Sequence, residues 1–563
     1  MKLVECVPNF SEGRDLEKIK AITREIETTE AVRLLDVDPG ESTNRTVVTF
    51  IGTPEGVLEA AFKSIRKAAE VIDMSKHTGA HSRMGATDVC PLVPVAGVTM
   101  EDCVQLAHTL AERVARELDI PVYLYEAAAQ KPERSNLATI RAGEYEGLPE
   151  KLKDPEWTPD YGAAKFNPAS GATVIGAREF LIAYNINLNT RDRKLAQHIA
   201  LNLRERGRAK RDEAGEIIRD AQGNAVKVSG KFKDVKAVGW YVEDYGIAQI
   251  SINFTNYKVS PPHLVFDEAI KEAEKIGCRV TGSELVGLIP KQALLMAGRH
   301  YLKRQGKSAG VPEEELIRIA AASLGLNDVA EFDPQKKIIE YQFREVERSL
   351  NDLTLREFAD ELSMDSPAPG GGSTAALCGA LSAALSAMVS NLTVGKSGYE
   401  GVQNEVKELA EQGQRLKDEF MRAIDLDTLA FNRVMDCFRM PRKTEQQQRE
   451  RDAAIEEATK QATRIPMDVA EKCVEALHLA KDIALIGNRN SISDAGVSAL
   501  AAQAGAEGAY YNVLINVPSI QDSAFKAEMQ DQAARVKNRV LVLGEEVRVI
   551  LEKALQDALS SPS

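Results

Sequence analysis

The sequence predicts a multidomain chain in which two α+β subdomains are followed by an all-α helical bundle domain. Three observations carry that reading. Up to about residue 342, strand-like and helix-like segments alternate, the pattern of mixed layered domains. Beyond it, strand signals vanish and Ala-rich helical periodicity runs to the end. At 563 residues, the chain is also too long for one core.

The elements follow in order. KLVECVP is a first strand, LEKIKAITREIE a helix, and VRLLDVD and RTVVTFIG are strands. VLEAAFKSIRKAAEVI and EDCVQLAHTLAERVAREL carry apolar residues three and four apart, hence helices, and PVYLYE is a strand. After FNPASGATVIGAREFLIAYNINL comes a second set on a similar plan. It runs through helix AQHIALNLRE, strands VKAVGWYVE and IAQISINFTN, helix HLVFDEAIKEAEKIG, and strand-and-turn RVTGSELVGLIP. Residues 209–233 are polar, with Gly and mixed charge, and are expected to form an exposed excursion between subdomains. The segment from Ile338, IIEYQFREVERSLNDLTLREF, marks a boundary. The expected divisions are 1–180, 181–342, a linker 343–351, and 352–563. In the last part, STAALCGALSAALSAMVSNL, Val402 to Cys437, Thr444 to Ala480, Val497 to Gln503, and Phe525 to Leu559 are helices. The Ala- and Ser-rich first of these allows the close approach of a bundle.

Composition narrows the function. Hydrophobic residues at 44% and charged residues at 28% are those of a soluble globular protein. A net charge of −13 argues against broad nucleic-acid binding, and an anionic substrate would need a local basic patch. No run of about 18 apolar residues appears, so no membrane span is expected. The opening MKLVECVPNF is too short in its apolar run for a secretory signal. Seven Cys without a CxxC pair indicate neither a disulfide framework nor a zinc ribbon, and a reducing cytoplasm fits best.

HTGAHSRMGATDVCPLVP, from His77, holds two of only seven histidines, four residues apart. His-x3-His binds metal when a helix puts both rings on one face. Here Gly79 separates them and no periodicity supports a helix, so a loop is expected and no metal. Gly79, Ala80, Gly85 and Ala86 let that loop approach a ligand closely. Upstream, LLDVDPGESTNRTVVTF carries Asp36 and Asp38 at a strand end, two apart and therefore on one face. A His with a carboxylate partner and Arg83 suits proton transfer near neutral pH, whereas solvated turn histidines are the plainer alternative.

Taken together, VECVPNFSEG, LLDVDPGESTNRTVVTF, HTGAHSRMGATDVCP, PVYLYE, IRAGEYEGL and ATVIGAREFLIAYNINL resemble the formiminotransferase part of the formiminotransferase–cyclodeaminase family, from Lys2 to about Tyr341. The resemblance implies ferredoxin-like sandwich subdomains facing each other across a substrate cleft. It puts the catalytic histidine at His81, the second aspartate of the D-V-D motif at Asp38, and folate binding at Gly162, Ala163, Ala164, Lys165, Phe166, Asn167, Pro168, Ala169, Ser170 and Gly171. It also implies tetrahydrofolate as co-substrate, polyglutamylated, with formiminoglutamate as donor. In that transfer the attacking nitrogen loses a proton and the leaving nitrogen gains one, so a single group titrating near neutrality serves both steps. Asp38 would hold the formimino charge or orient the imidazole. Arg83 is either a carboxylate fork or a structural ion pair, and His77 a supporting residue. Ser82 stands where vertebrate relatives are expected to carry proline, and the 209–233 excursion is longer than expected from them. Its Arg204, Arg206, Arg208, Lys210 and Arg211 either attract a glutamate tail or, the plainer reading, are solvated.

In the helical part, DSPAPGGGSTAALCGALSAAL leads three glycines into a helix. Ser373 or Thr374 is expected to cap it, leaving an anion site at Gly371, Gly372 and Ser373; a flexible linker would look the same locally. Further on, the stripe Leu416, Phe420, Ile424, Phe431, Val434 and Phe438 calls for a member at 427 or 428. Asp427 stands there, and Asp425 is about 200° away around the helix. An inward carboxylate is costly unless paired and has a raised pKa. APGGGS, the Ala/Ser-rich helix, IDLDTLAF, RMPRKT and GAYYNVLIN resemble the cyclodeaminase domain of the same family over about 352–557, which puts its functional aspartate at Asp427. Tyr510, Tyr511 and Asn512 are pocket candidates, with core packing expected for at least one tyrosine. The resemblance implies small-molecule substrates and a homo-oligomer built on dimers. Two other readings stand beside it: metal-assisted hydrolysis at His77 and His81, and a helical domain acting only as a scaffold.

Overall fold

The computed structural model describes residues 2–41, 43–79, 82–212, 215–220, 222–243, 245–342 and 349–560. The chain separates into two compact units, Met1–Ala297 with Ala321–Arg344, and Gly298–Ala320 with Glu345–Ser563. The first is mixed α/β and the second helical.

The first unit begins with β1 (Leu3–Cys6), β2 (Asn9–Phe10), α1 (Leu16–Glu27), β3 (Val32–Gly40), β4 (Arg45–Gly52), α2 (Pro54–Val71) and β5 (Thr87–Ala96). β1 and β2 lie between β4 and β5, and β3 is on the outside of β4, all antiparallel. α3 (Met100–Leu118), β6 (Val122–Glu126), α4 (Leu137–Ile140), α5 (Glu144–Lys151) and β7 (Thr173–Ala177) complete this half. β7 pairs parallel with both β5 and β6. Caps set the helix starts: Asp15, Thr53 and Thr99 each accept backbone N–H groups of the following turn. One sheet face packs Val4, Cys6, Val48 and Phe50 against these helices, and the alternate residues Glu5 and Thr49 point the other way.

A second sheet is built from β8 (Ile182–Leu188), α6 (Arg193–Leu203), β9 (Arg208–Ala209), β10 (Lys227–Val228), β11 (Val235–Val242), β12 (Ile247–Phe254), α7 (Pro262–Lys275) and β13 (Val280–Val286). Its four long strands run β11-β12-β8-β13, all antiparallel. Both sheets thus repeat one strand–helix–strand–strand–helix–strand order. The polar excursion is not between subdomains. It is an exposed turn-rich arm inside the second, between α6 and β11, with β9 and β10 at its base. Arg204 and Arg211 there donate to the arm's own carbonyls at Gly207 and Gly215, and Arg208 to the carbonyl of His198 in α6, so much of that charge is tied to nearby backbone.

α8 (Lys291–Arg304), α9 (Glu313–Leu324), α10 (Pro334–Lys337) and α11 (Ile339–Gln342) follow. The expected linker 343–351 lies mostly outside the described residues. The helical unit continues with α12 (Leu355–Leu362), α13 (Gly371–Thr393), α14 (Gln403–Arg439), α15 (Glu445–Ile486), α16 (Ile492–Asn516) and α17 (Ser523–Ser560). α13 to α17 share one core that includes Phe420, Leu477, Ala502 and Val540. α13 is long and apolar enough to cross a membrane, which the run-length criterion overlooked because Ser and Gly interrupt it. Of its most apolar window, 56% is buried within the unit, as in a core helix of a bundle. The expected stripe on α14 holds only in its first half. Leu416, Phe420 and Ile424 are buried, but Phe438 is exposed. At roughly 55 Å the helix outruns the core it packs on.

Candidate functional site

The loop after α2 is laced to the segment that precedes β7. Met74 N–H donates to Ala169 O at 2.8 Å, Ala86 N–H to Ser170 O at 2.9 Å, and Ala172 N–H to Met84 O at 3.1 Å. The lacing requires glycine on both sides. Gly171 has φ +67°, and a Cβ on it would lie 2.1 Å from Met84 O; one on Gly85 would lie 2.3 Å from Ala172 O. The β3–β4 turn joins through Asn44, whose Nδ2 donates to Thr78 O and whose Oδ1 accepts from Gly13 N–H. Three segments picked out from the sequence therefore converge: the turn after Asp38, residues 77–79 with 82–86, and the stretch 162–171. His81 itself lies outside the described residues.

His77 has both ring nitrogens committed. Nε2 is 2.9 Å from Asn44 O, a carbonyl that only accepts, so Nε2 carries the hydrogen. Nδ1 accepts from Arg83 Nε at 3.2 Å. Arg83 is buried and spends all five N–H donors: one on Nδ1 of His77, one on His77 O, one on Glu144 and two on Glu146. Of the two readings of Arg83, the structure shows the ion pair; no donor remains for a substrate carboxylate in this arrangement. Asp38 is exposed and paired in register with Val47. Its charge acts on Arg45, which donates to Asn9 Oδ1. Burial lowers the Arg45 guanidinium pKa; Asp88 and then Asp38 offset this, while Arg141 adds to it. Of the folate-segment candidates, Gly162, Ala163, Ala164, Lys165, Pro168 and Ala169 are exposed, and Phe166 and Asn167 half-buried. Ser170 and Gly171 are buried in the lacing. The Phe166 and Tyr145 rings lie 5.5 Å apart, and Tyr145 OH donates to Pro168 O.

A cleft of about 540 Å³ opens on the other face of the first sheet, lined among others by Glu5, Asp36, Thr49, Arg178, Ala183, Val286, Lys336 and Lys337. Asp36 thus meets the cleft from the same strand as Asp38.

In the helical unit, α13 starts one turn earlier than a Ser373 cap implies. Its N-cap is Gly370, which has no capping side chain, and Thr374 Oγ1 donates back to Gly370 O. The acceptor comes instead from α14. Asp427 takes hydrogen bonds from the Ser373 N–H and hydroxyl, the latter at 3.3 Å, and so fills part of the expected anion site itself. Ser373 Oγ also donates to Ile424 O. The absence of a side chain at Gly372 makes the seat: a Cβ there would lie 2.2 Å from Asp427 Oδ1. Gly371 faces Asn512 Nδ2. A pocket of about 610 Å³ lined by Gly370, Gly371, Thr374, Cys378 and Gly508 adjoins this turn. Burial raises the Asp427 carboxyl above its ordinary value, with the Ser373 bonds opposing. Asp425, two residues away, accepts from Ser349, Leu350 and Asn351 and anchors the start of the unit. Tyr510 packs on the core and Tyr511 is exposed.

Residues 3–178 match the family described as formiminotransferase domain, N-terminal subdomain; 183–344 match formiminotransferase domain; and 354–535 match formiminotransferase-cyclodeaminase. The chain is 45% identical over 527 residues to formimidoyltransferase-cyclodeaminase of Mus musculus, covering 93% of this chain and 94% of that one. The chain belongs to the formiminotransferase–cyclodeaminase family. Two partial relatives accompany the full-length match. Glutamate formimidoyltransferase of Thermoplasma acidophilum is 42% identical over 57% of this chain and 99% of its own. Methenyltetrahydrofolate cyclohydrolase of Methylorubrum extorquens is 41% identical over 31% of this chain and 84% of its own.

Sequence reasoning about this family member missed Glu5, Asn44, Glu144 and Glu146. A carboxylate inside the buried strand LVEC was a usable signal, since charged residues are seldom fully buried. The partners of Arg83 lie 61 and 63 residues away and left no local mark.

Asp427 makes a stability prediction. Folded, the carboxyl holds its proton more tightly than the unfolded value of 3.8 allows, so the folded state binds more protons between the two pKa values. This contribution to stability is lost as pH rises through the folded pKa. Asp427→Asn is therefore expected to raise Tm at neutral pH, with the gain vanishing below the unfolded pKa. Thermal melts across pH check this, and a lower Tm for the variant at neutral pH contradicts it.

Proposed function

We propose that the first unit transfers the formimino group of N-formimino-L-glutamate to N5 of tetrahydrofolate. The helical unit then closes the product to 5,10-methenyltetrahydrofolate and releases ammonia, so the chain is both a transferase and an ammonia-lyase of histidine breakdown. The observation that carries this reading is the seat of Asp427, a desolvated carboxyl held at a helix N-terminus beside an open pocket. A scaffold has no use for it.

In the transfer, N5 attacks the formimino carbon, its proton leaves, and the departing glutamate nitrogen takes one up. His81 is the shuttle for both. Asp38, exposed at the edge of the converged segments, meets the positive formimino nitrogen. Arg83 and His77 hold the loop, and residues 162–171 flank the folate. In the ring closure, N10 attacks the formimino carbon and loses its proton. The amine gains a proton from Asp427 and leaves as ammonia. Gly371, Gly372 and Ser373 position that carboxyl.

The shared βαββαβ order supports ferredoxin-like sandwiches for both sheets. Exposed Leu381, Met388 and Leu392 on α13 and Val497, Leu500, Tyr511 and Ile515 on α16 support a second copy packing there, hence a homo-oligomer built on dimers. Seven unpaired thiols, six of them buried, support a cytoplasmic setting. No metal is invoked, because Asn44 and Arg83 already take both ring nitrogens of His77. A polyglutamate tail on the folate would keep the intermediate tethered.

His81→Ala is expected to abolish transfer yet still cyclise supplied 5-formiminotetrahydrofolate, and Asp427→Asn to do the reverse, with at least ~100-fold loss in each impaired step. Separate assays of glutamate and ammonia release check this; loss of both activities in one folded variant contradicts it. In the same assay, polyglutamyl folate should release less free 5-formiminotetrahydrofolate than monoglutamate, and equal release counts against tethering. Light scattering should show a dimer or a multiple of it; a monomer refutes the oligomer.

A further inference from the structure

Glu5 has no part in the chemistry above, yet it is the most unusual carboxylate in the first unit. It sits in the middle of β1 between Val4 and Cys6, which face the helices, so its side chain faces the cleft. It is only 5% exposed. Among the described residues its carboxylate accepts no hydrogen bond, although a buried polar group normally finds a partner. Burial pushes its pKa up to about 7, with Arg178 pulling the other way. Asp36 and Thr49 line the same cleft from β3 and β4, and Lys336 and Lys337 line it from α10.

Resting on the proposed function, we infer that Glu5 is the acceptor for an amidine-type edge of a substrate, two N–H donors on one carbon. A carboxylate accepts such a pair in parallel, and the pairing supplies the partners the protein withholds. Lys336 and Lys337 suit carboxylates at the far end of the same molecule. Both substrates carry this combination. The pterin of tetrahydrofolate presents N3–H and its 2-amino group, formiminoglutamate presents its N–CH–N group, and each ends in a glutamate.

Titration calorimetry on the full chain separates the two. In Glu5→Gln, with Tm not lowered, Kd for one ligand is expected to rise about tenfold or more while the other stays within about twofold. A rise for tetrahydrofolate assigns the edge to the pterin, and a rise for formiminoglutamate assigns it to the formimino group. Unchanged affinity for both overturns the inference. If Glu5→Gln does not fold, the native chain decides. An analogue with methyl in place of the 2-amino group, or N-formylglutamate in place of the formimino compound, should bind about tenfold weaker than its parent. Equal binding of both analogues and parents overturns the inference. Failure of the underlying function looks different: neither parent ligand binds the native chain.

Discussion

Two backbones touch at Gly85 and Gly171, and the first site depends on that contact. The carbonyl of Met84 occupies the space a side chain at Gly171 would fill, and the carbonyl of Ala172 does the same at Gly85. With both side chains absent, the loop after α2 and the segment before β7 exchange hydrogen bonds like strands of a sheet. Everything else about the loop builds on this clamp. His77 reaches Asn44, Asn44 ties in the turn that follows Asp38, and Arg83 draws α5 over the loop through Glu144 and Glu146. Residues that look like catalytic equipment in the sequence, His77 and Arg83 among them, are here ties that hold the loop in place.

The second site solves a different problem with the same device. A carboxyl turned toward a helix core is desolvated, and left unpaired there as a carboxylate it would be too costly. Removing one side chain, at Gly372, lets Asp427 lie against the first turn of α13, where a backbone N–H and a hydroxyl temper the cost of burial. Desolvation still wins, so the pKa rises.

Much of this was legible in the sequence. Period-2 and period-3.6 patterns located the strands and helices, and the stripe on α14 identified Asp427 over Asp425 because the two lie on different faces. Legibility stopped where tertiary contacts decide. Arg83 looked equally suited to substrate or ion pair until Glu144 and Glu146 appeared beside it. Ser373 looked like a cap, but the acceptor came from a helix more than fifty residues on. The stripe over-reached at Phe438 because no periodicity records where a core ends. Glu5 was passed over because one acidic residue does not disturb a strand pattern.

One chain carries both halves of a two-step folate reaction. The most direct measurement is absorbance of the native protein mixed with formiminoglutamate and tetrahydrofolate, with ammonia followed in parallel. Methenyltetrahydrofolate absorbance is expected to rise with one ammonia released per formimino group. A reaction that stops at 5-formiminotetrahydrofolate, or none at all while both substrates bind, would contradict it.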